Sequence, residues 1–397
     1  MNNLTYLPPI NVRWITTVLS LFVLGDSASG VGVYTFQTVV ALDASASLSA
    51  YPQLNNRGQV TFVARSGTNP ATSPETFLWV DGTATALGLP GSFGGSPIDD
   101  AGYVYSSKRR SVRYDPVIGL SSVVFDDLVT GSTLAVSPNG HVVAGIEVGD
   151  PLNPNVETRV SKPDGTATTR FSNDRDSGRW ADYNVNSVPL PDISNHGIVA
   201  FAGVSSEFGG VVIDDGNSFA RIPYDGPPVR RFGNVVDINN LGHVAFTAEL
   251  TGETPGGRNL YIYRDGISEL VAEGANFEYL TEGGLAINDT GDLAFFGTYQ
   301  GRSGLYVGGD PQEDFIIRSG DTLDGGVLKT LLVRRGMLND AGQISFYATL
   351  DDNADGVVDR KGIFLATPTT VSVPETSIAL PMAAVAAIAF NRRRKIV

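Results

Sequence analysis

Along the middle of this chain apolar residues recur at every second position in short runs, and the runs are separated by Asn, Asp, Ser and Gly. Val60-Thr61-Phe62, Val199-Ala200-Phe201, Val244-Ala245-Phe246, Leu293-Ala294-Phe295 and Ile344-Ser345-Phe346 each begin two residues after a glycine. Alternation with period two places successive side chains on opposite faces, so these runs predict short β-strands and not helices. Aligned on Gly58, Gly102, Gly140, Gly197, Gly242, Gly291 and Gly342, the chain repeats at spacings of 44, 38, 57, 45, 49 and 51 residues. Four positions before each glycine stands Leu54, Ile98, Val136, Ile193, Ile238, Ile287 or Leu338, and three before stands Asn55, Asp99, Ser137, Ser194, Asn239, Asn288 or Asn339. Phe occupies the fourth position after five of the seven glycines, the exceptions being Ser106 and Ala144. An Asn, Asp or Ser that bonds the backbone ahead of it, followed by a glycine free to take positive φ, predicts a tight hairpin turn.

A second apolar strand follows in each unit, as in Phe77-Leu78-Trp79-Val80, Leu260-Tyr261-Ile262-Tyr263, Leu305-Tyr306-Val307 and Ile363-Phe364-Leu365, with weaker versions at Arg113-Tyr114 and Arg159-Val160. Several run into Asp-Gly (Asp81-Gly82, Asp164-Gly165, Asp215-Gly216, Asp265-Gly266), a strong hairpin signal. Each unit is therefore read as four strands, the last exemplified by Phe315-Ile316-Ile317. Repeats of this length with four strands predict an all-β fold, a β-propeller of seven blades. The chain opens on an unpaired last-type strand, Tyr34 to Val40, and its repeats end on the strand at Ile363, so pairing the two would close the ring. An open β-solenoid is the alternative architecture.

The strings Ile238-Asn239-Asn240-Leu241-Gly242-His243-Val244-Ala245-Phe246 and Ile287-Asn288-Asp289-Thr290-Gly291-Asp292-Leu293-Ala294-Phe295 resemble the NxxGxxAF tandem-repeat proteins of bacteria. The resemblance covers roughly residues 34 to 366, with the second and third repeats degenerate, and implies a surface location without supplying an activity.

Both ends carry targeting patterns. Arg13, the apolar run from Trp14 to Gly25 and the small residues around Ser29 read as a secretory signal over residues 1–29. At the other end Val373-Pro374-Glu375, an apolar run from Ile378 to Phe390 and the basic cluster Arg392, Arg393, Arg394 and Lys395 form a three-part tail. Thirteen helical residues reach about 20 Å, short of the roughly 30 Å hydrocarbon core, which makes a marginal anchor. The tail resembles the PEP-CTERM sorting signal of Gram-negative bacteria, with Thr376 where the family has a second Pro. That resemblance implies an exosortase-type sorting enzyme as partner and membrane contact only through the tail before processing. The organisation expected is a signal peptide, a propeller from 31 to 366, and a linker with sorting tail over 367–397.

Composition narrows the chemistry. The absence of cysteine excludes disulfides, thiolate metal sites and a thiol nucleophile. Net charge is −14, and removing both targeting segments leaves 23 basic against 40 acidic residues, so a nucleic acid partner is excluded by repulsion. The three histidines, His141, His196 and His243, flank repeat glycines at positions read as exposed turns, and none has a partner at ligand spacing. The carboxylate pairs Asp99-Asp100, Asp126-Asp127 and Asp214-Asp215 could serve a glycosidase only by converging, which adjacent strand residues do not do. Arg109-Arg110, Arg230-Arg231 and Arg334-Arg335 could hold an anion in a central channel, against the plainer reading of surface charge.

The sharpest local pattern is Asp351-Asp352-Asn353-Ala354-Asp355-Gly356-Val357-Val358-Asp359. Its spacing nominates Asp351, Asn353, Asp355 and Asp359 as oxygen ligands of calcium, with Val357 offering its carbonyl; position 12 is Gly362 and not the bidentate Glu of an EF-hand. The loop resembles the calcium-binding hairpins of integrin-type propellers. An acidic solvated hairpin tip is the alternative. The functional expectation is an exported cell-surface or extracellular-matrix protein with a non-enzymatic structural or adhesive role. A glycan- or protein-binding propeller and a propeller glycoside hydrolase or lyase are the alternatives.

Overall fold

A computed structural model of the chain describes residues 33–369 apart from 66–72, 92–94, 108–110, 127–133, 149–154, 173–189, 204–209, 225, 227 and 252–256. The predicted signal and sorting segments, with Val373, Pro374, Glu375 and Arg392 to Arg394, lie outside the described residues. The strands form seven antiparallel sheets, the blades of a propeller. Blades 1 (53–90), 3 (135–172), 4 (192–221), 5 (229–272) and 6 (279–318) each hold four strands in sequence order. Blade 2 keeps three, Val104–Ser107, Ser111–Asp115 and Leu120–Phe125, and its innermost strand shrinks to one bridge between Ile98 and Val104.

Blade 7 closes the ring as the sequence predicts. The first strand, Tyr34–Asp43, pairs antiparallel with the last, Arg360–Pro368, setting Phe36 opposite Ala366, Thr38 opposite Phe364 and Val40 opposite Ile363. The two ends of the domain are thereby stitched together. The outer hairpins follow their predicted turns: Asp81 and Gly82 both take positive φ, 46° and 87°, as do Asp265 and Gly266, 53° and 83°. Two successive positive φ values define the turn whose twist matches its flanking strands.

Packing between blades explains the Ala-Phe pair of the repeat. On a strand these neighbours point to opposite faces. Phe246 of blade 5 packs back on Ala200 and Ala202 of blade 4, while Ala245 faces forward into the cluster that holds Leu285 and Phe295 of blade 6. Ala294 in turn faces the cluster of Phe346 and Phe364 in blade 7. A large residue thus meets a small one at successive interfaces, which fills space at interior density without strain. Seven apolar clusters serve the seven interfaces, the last joining Ile363 and Leu365 of blade 7 to Phe62 of blade 1.

Most of the repeat Phe residues also stack on the aromatic residue directly across the sheet. The ring centroids of Phe62 and Phe77 lie 5.2 Å apart, Phe246 and Tyr261 5.5 Å, Phe295 and Tyr306 5.7 Å, and Phe346 and Phe364 5.7 Å. Such pairs add about 0.5–1.5 kcal/mol beyond area burial. Blades 2 and 3 forgo this ladder, with Ser106 opposite Val112 and Ala144 opposite Arg159.

Candidate functional site

The repeat turns gather at the inner end of the blades, and their Asn side chains use every hydrogen-bonding position they have. Asn55 is buried; its Oδ1 accepts the N–H of Arg57 at 3.1 Å and of Gln59 at 3.0 Å. One Nδ2 proton goes to Gln59 Oε1 at 2.8 Å and the other to the carbonyl of Asp99, in the next blade, at 2.9 Å. Asn239, Asn288 and Asn339 repeat the arrangement, reaching the carbonyls of Asn288, Asn339 and Asn55 at 2.8, 3.1 and 3.1 Å. The second amide proton meets His243 Nδ1, Asp292 Oδ2 and Gln343 Oε1 respectively. The residue after the repeat glycine is thus an acceptor for the amide. Gln59, His141, His243 and Gln343 are half-buried there, which corrects the exposed position read for His141 and His243, while His196 is exposed, as is Asp292 in the same slot as His243. Gly58, at φ 75°, also leaves room that a Cβ would take, 3.1 Å from Gln343 Oε1.

The residue after the repeat Asn forms a second, closed ring. The N–H of Asn56 donates to Asp100 Oδ1 at 2.8 Å and that of Asp100 to the Pro138 carbonyl at 2.7 Å. Proline has no N–H to pass on. Asn139 takes its place and donates to Asn195 Oδ1 at 2.7 Å. Asn195 then donates to Asn240 Oδ1 at 2.6 Å, Asn240 to Asp289 Oδ1 at 2.7 Å, Asp289 to Asp340 Oδ1 at 2.8 Å, and Asp340 back to Asn56 Oδ1 at 2.9 Å. All seven blades are linked.

Inside this belt lies the central channel, a cavity of about 100 Å³ lined from all seven blades, for example by Asn56, Asp100, Pro138, Ile193, Asn240 and Asp289 with Asp340. The buried Asp192 and Asp237 also line it, two residues before the repeat Ser194 and Asn239. Each links to the next blade: Asp192 Oδ2 accepts the N–H of Ile238 at 2.9 Å, and Asp237 Oδ2 that of Ile287 at 2.7 Å. Arg335 reaches across from blade 7, donating to the carbonyls of Pro191 and Leu134, while its own carbonyl accepts Gln53 Nε2 at 3.1 Å. Burial, and then the charge of Asp192, push the Asp237 carboxyl well above the usual carboxylate range. Burial lowers the Arg335 guanidinium, against the pull of Asp192 and Asp237. Asp99 is raised by burial, even though Tyr105 donates its hydroxyl to it at 2.9 Å.

The other nominated residues fall elsewhere. The loop 351–359 caps the hairpin between Ile344–Asp351 and Arg360–Pro368. Asp351 accepts the N–H of Asp355 and Gly356 at 3.2 and 2.7 Å, Asn353 that of Asp355 at 2.9 Å, Asp355 that of Val357 at 2.8 Å, and Asp359 that of Asp352 at 2.8 Å. Among the described residues no three His, Asp or Glu side chains converge as a metal cluster. Asp215 accepts the N–H of Asn217 and Ser218 in its own hairpin tip, and Asp127 lies outside the described residues. Arg230 pairs with the buried Glu249, with Arg231 3.8 Å from the same carboxylate. The Arg334 guanidinium lies 5.1 Å from the Tyr51 ring centre, and Arg109 and Arg110 lie outside the described residues. Of the three arginine pairs, Arg335 alone is placed in the channel among the described residues.

The amide chemistry has a measurable consequence. Asn288→Asp keeps the acceptor but replaces both donors with a second acceptor, facing the Asn339 carbonyl and Asp292. Urea unfolding is expected to show a loss of about 3 kcal/mol, against about 1 kcal/mol for Asn288→Ser, the residue blades 3 and 4 use.

The chain matches over residues 17–373 the model of a family described as one of unknown function, DUF7453. No curated protein matches it. Similar solved structures include an acylaminoacyl peptidase from Pyrococcus horikoshii, 10% identical with a TM-score of 0.53, over 81% of this chain and 52% of the peptidase. TolB from Acinetobacter baumannii is 15% identical with a TM-score of 0.42, over 66% of this chain and 63% of TolB. A GH74 enzyme from Niastella koreensis is 13% identical with a TM-score of 0.45, over 82% of this chain and 44% of that one. The chain thus spans less than two thirds of each of these three proteins, and at such identities the likeness shows the fold alone. By its match over most of its length, the chain belongs to the DUF7453 family.

Proposed function

We propose that this propeller is an exported cell-surface or extracellular-matrix protein of a Gram-negative bacterium with a structural or adhesive, non-enzymatic role. The observation that carries the proposal is the state of the channel, where propeller enzymes would need open space and free acid–base groups. Asp192 and Asp237 each accept a backbone N–H from the next blade, and the cavity measures about 100 Å³. Sites that enclose a ligand run to roughly 300–1,000 Å³. A protein-binding module is the second reading, favoured by the tip of blade 2, where Val117 is 90% and Ile118 64% exposed.

Export and sorting rest on the sequence of the two ends. In an exosortase-positive host the full chain is expected at the cell surface, with an intact mass lacking Arg392 to Lys395, and without cleavage of a panel of neutral and acidic polysaccharides. Cytoplasmic retention of an unprocessed chain contradicts the location; depolymerisation that is lost in Asp237→Asn contradicts the non-enzymatic role.

Calcium binding at Asp351, Asn353, Asp355, Asp359 and the Val357 carbonyl belongs to the same proposal and rests on their spacing. Calorimetric titration is expected to give saturable heat in the wild type and none in Asp355→Ala. Absence of heat in both makes the loop a self-capped hairpin tip.

A further inference from the structure

In an antiparallel blade the turn between strands one and two and the turn between strands three and four lie at the same end, so the outer hairpin tips share the face of the repeat turns. The ends of the domain leave from that face as well. Gln343, beside the repeat glycine of blade 7, donates from Nε2 to Thr367 Oγ1 at 3.2 Å, and a Cβ on Gly342 would stand 3.3 Å from Pro368 Cγ. The Thr369 N–H donates to the Val33 carbonyl at 2.6 Å.

Blades 1, 3, 4 and 5 tip their outer hairpins with Asp-Gly, and Asp81, Asp164, Asp215 and Asp265 are all exposed. Blade 2 instead places Pro116-Val117-Ile118-Gly119-Leu120 there, and its Val117, Ile118 and Leu120 are exposed. The backbone of this tip is closed on itself. Asp115 Oδ1 accepts the N–H of Val117 at 2.9 Å and of Ile118 at 3.3 Å, and the Asp115 carbonyl accepts that of Gly119 at 2.9 Å. Three successive N–H groups thus need no water, which is what apolar surroundings demand of a backbone. Leu241, in the repeat turn of blade 5, and Ile267, beside Asp265-Gly266, are exposed on the same face, as is Val33 at the end of the domain.

We propose that the repeat-turn face is a lipid-contact face, which seats the blade 2 tip in the interface of an electrically neutral membrane. The proposal rests on the surface location argued above and takes the blade 2 tip as a lipid contact in place of a protein contact. The apolar side chains stand on separate projecting turns of blades 2 and 5, and a fluid surface meets both at once, whereas a rigid partner needs a matching relief. The exposed aspartates of this face repel those of a second copy laid against it. They oppose an anionic membrane in the same way, so the fitting lipid is zwitterionic. The chain leaves this face at Thr369 toward the apolar run from Ile378 to Phe390, whose thirteen residues fall short of a bilayer core. Marginal anchors become stable with a second contact, and the tip supplies one at an interfacial depth of about 5–10 Å. Once the tail is processed, the tip is the contact that remains.

The chain has no cysteine, so Ile118→Cys in the full chain takes a single environment-sensitive fluorophore, and Val357→Cys places the same label at the other end of the blades. With phosphatidylcholine vesicles the emission from 118 is expected to shift to the blue and that from 357 to stay. Flotation of the full chain with these vesicles is expected to fall at least about fivefold in the double variant Val117→Asp, Ile118→Asp, whose exposed positions leave the core untouched. No shift at 118, equal shifts at both positions, or unchanged flotation of the double variant, which makes the tail the sole anchor, each overturn the proposal. So does a shift at 118 that grows with protein concentration without vesicles, the mark of a contact between copies. Vesicle binding is measured on purified protein and does not depend on export, so its failure and a failure of the surface location are told apart.

Discussion

The constraint on which this structure depends is that a buried amide needs all its partners. The side chain of Asn has two protons to donate and an oxygen that accepts twice. In blades 1, 5, 6 and 7 it uses both oxygen positions to close its own turn and divides its protons between the residue after the repeat glycine and the carbonyl of the next blade. Losing one partner leaves a polar group desolvated without compensation, which costs more than the bond itself contributes. The turn and the blade interface are therefore one interaction, and a blade cannot make its turn fully without its neighbour.

Where the repeat Asn is missing, the ring is maintained by other means. Asp99 and Ser137 have no amide to donate, and the blade 2 contact is carried by the N–H of Asp100 to the Pro138 carbonyl. The Tyr105 hydroxyl supplies a donor to Asp99 at 2.9 Å. These blades also lack the repeat Phe, so their cores rely on residues such as Phe125, Val142 and Ile146. The degeneracy of the second and third repeats is thus a local exchange of partners within an intact ring. The stacked pairs of the repeat Phe stand in blades 1, 5, 6 and 7.

The fold was legible in the sequence because the repeat glycines and alternating strands are local signals. Even closure could be read, since a strand without a partner at each end of the domain leaves one pairing that removes both edges. Blade 2 shows the limit: Pro97 precedes Ile98, and the inner strand contracts to one bridge. The belt is harder to read, although it has a sequence signature. Asn or Asp follows the repeat Asn, Asp or Ser in six of seven units, with Pro138 the exception, yet turn chemistry alone accounts for such residues and hides their reach to the next blade. Asp192 and Asp237 share one offset from their glycines but lie far apart in sequence, and only the ring makes them neighbours. The loop at 351–359 presents the converse case, because ligand spacing and a self-capped hairpin place the same oxygens in the same order.

The most direct test of the ring is hydrogen exchange at the backbone N–H groups of Asn56, Asp100, Asn139, Asn195, Asn240, Asp289 and Asp340 in the native protein. If these bonds hold the blades as one closed unit, all seven exchange only with global unfolding and share its free energy, including those in the degenerate blades 2 and 3. Fast, independent exchange at several of them, at rates like those of the outer hairpin tips at Gly82 and Gly266, would contradict the account.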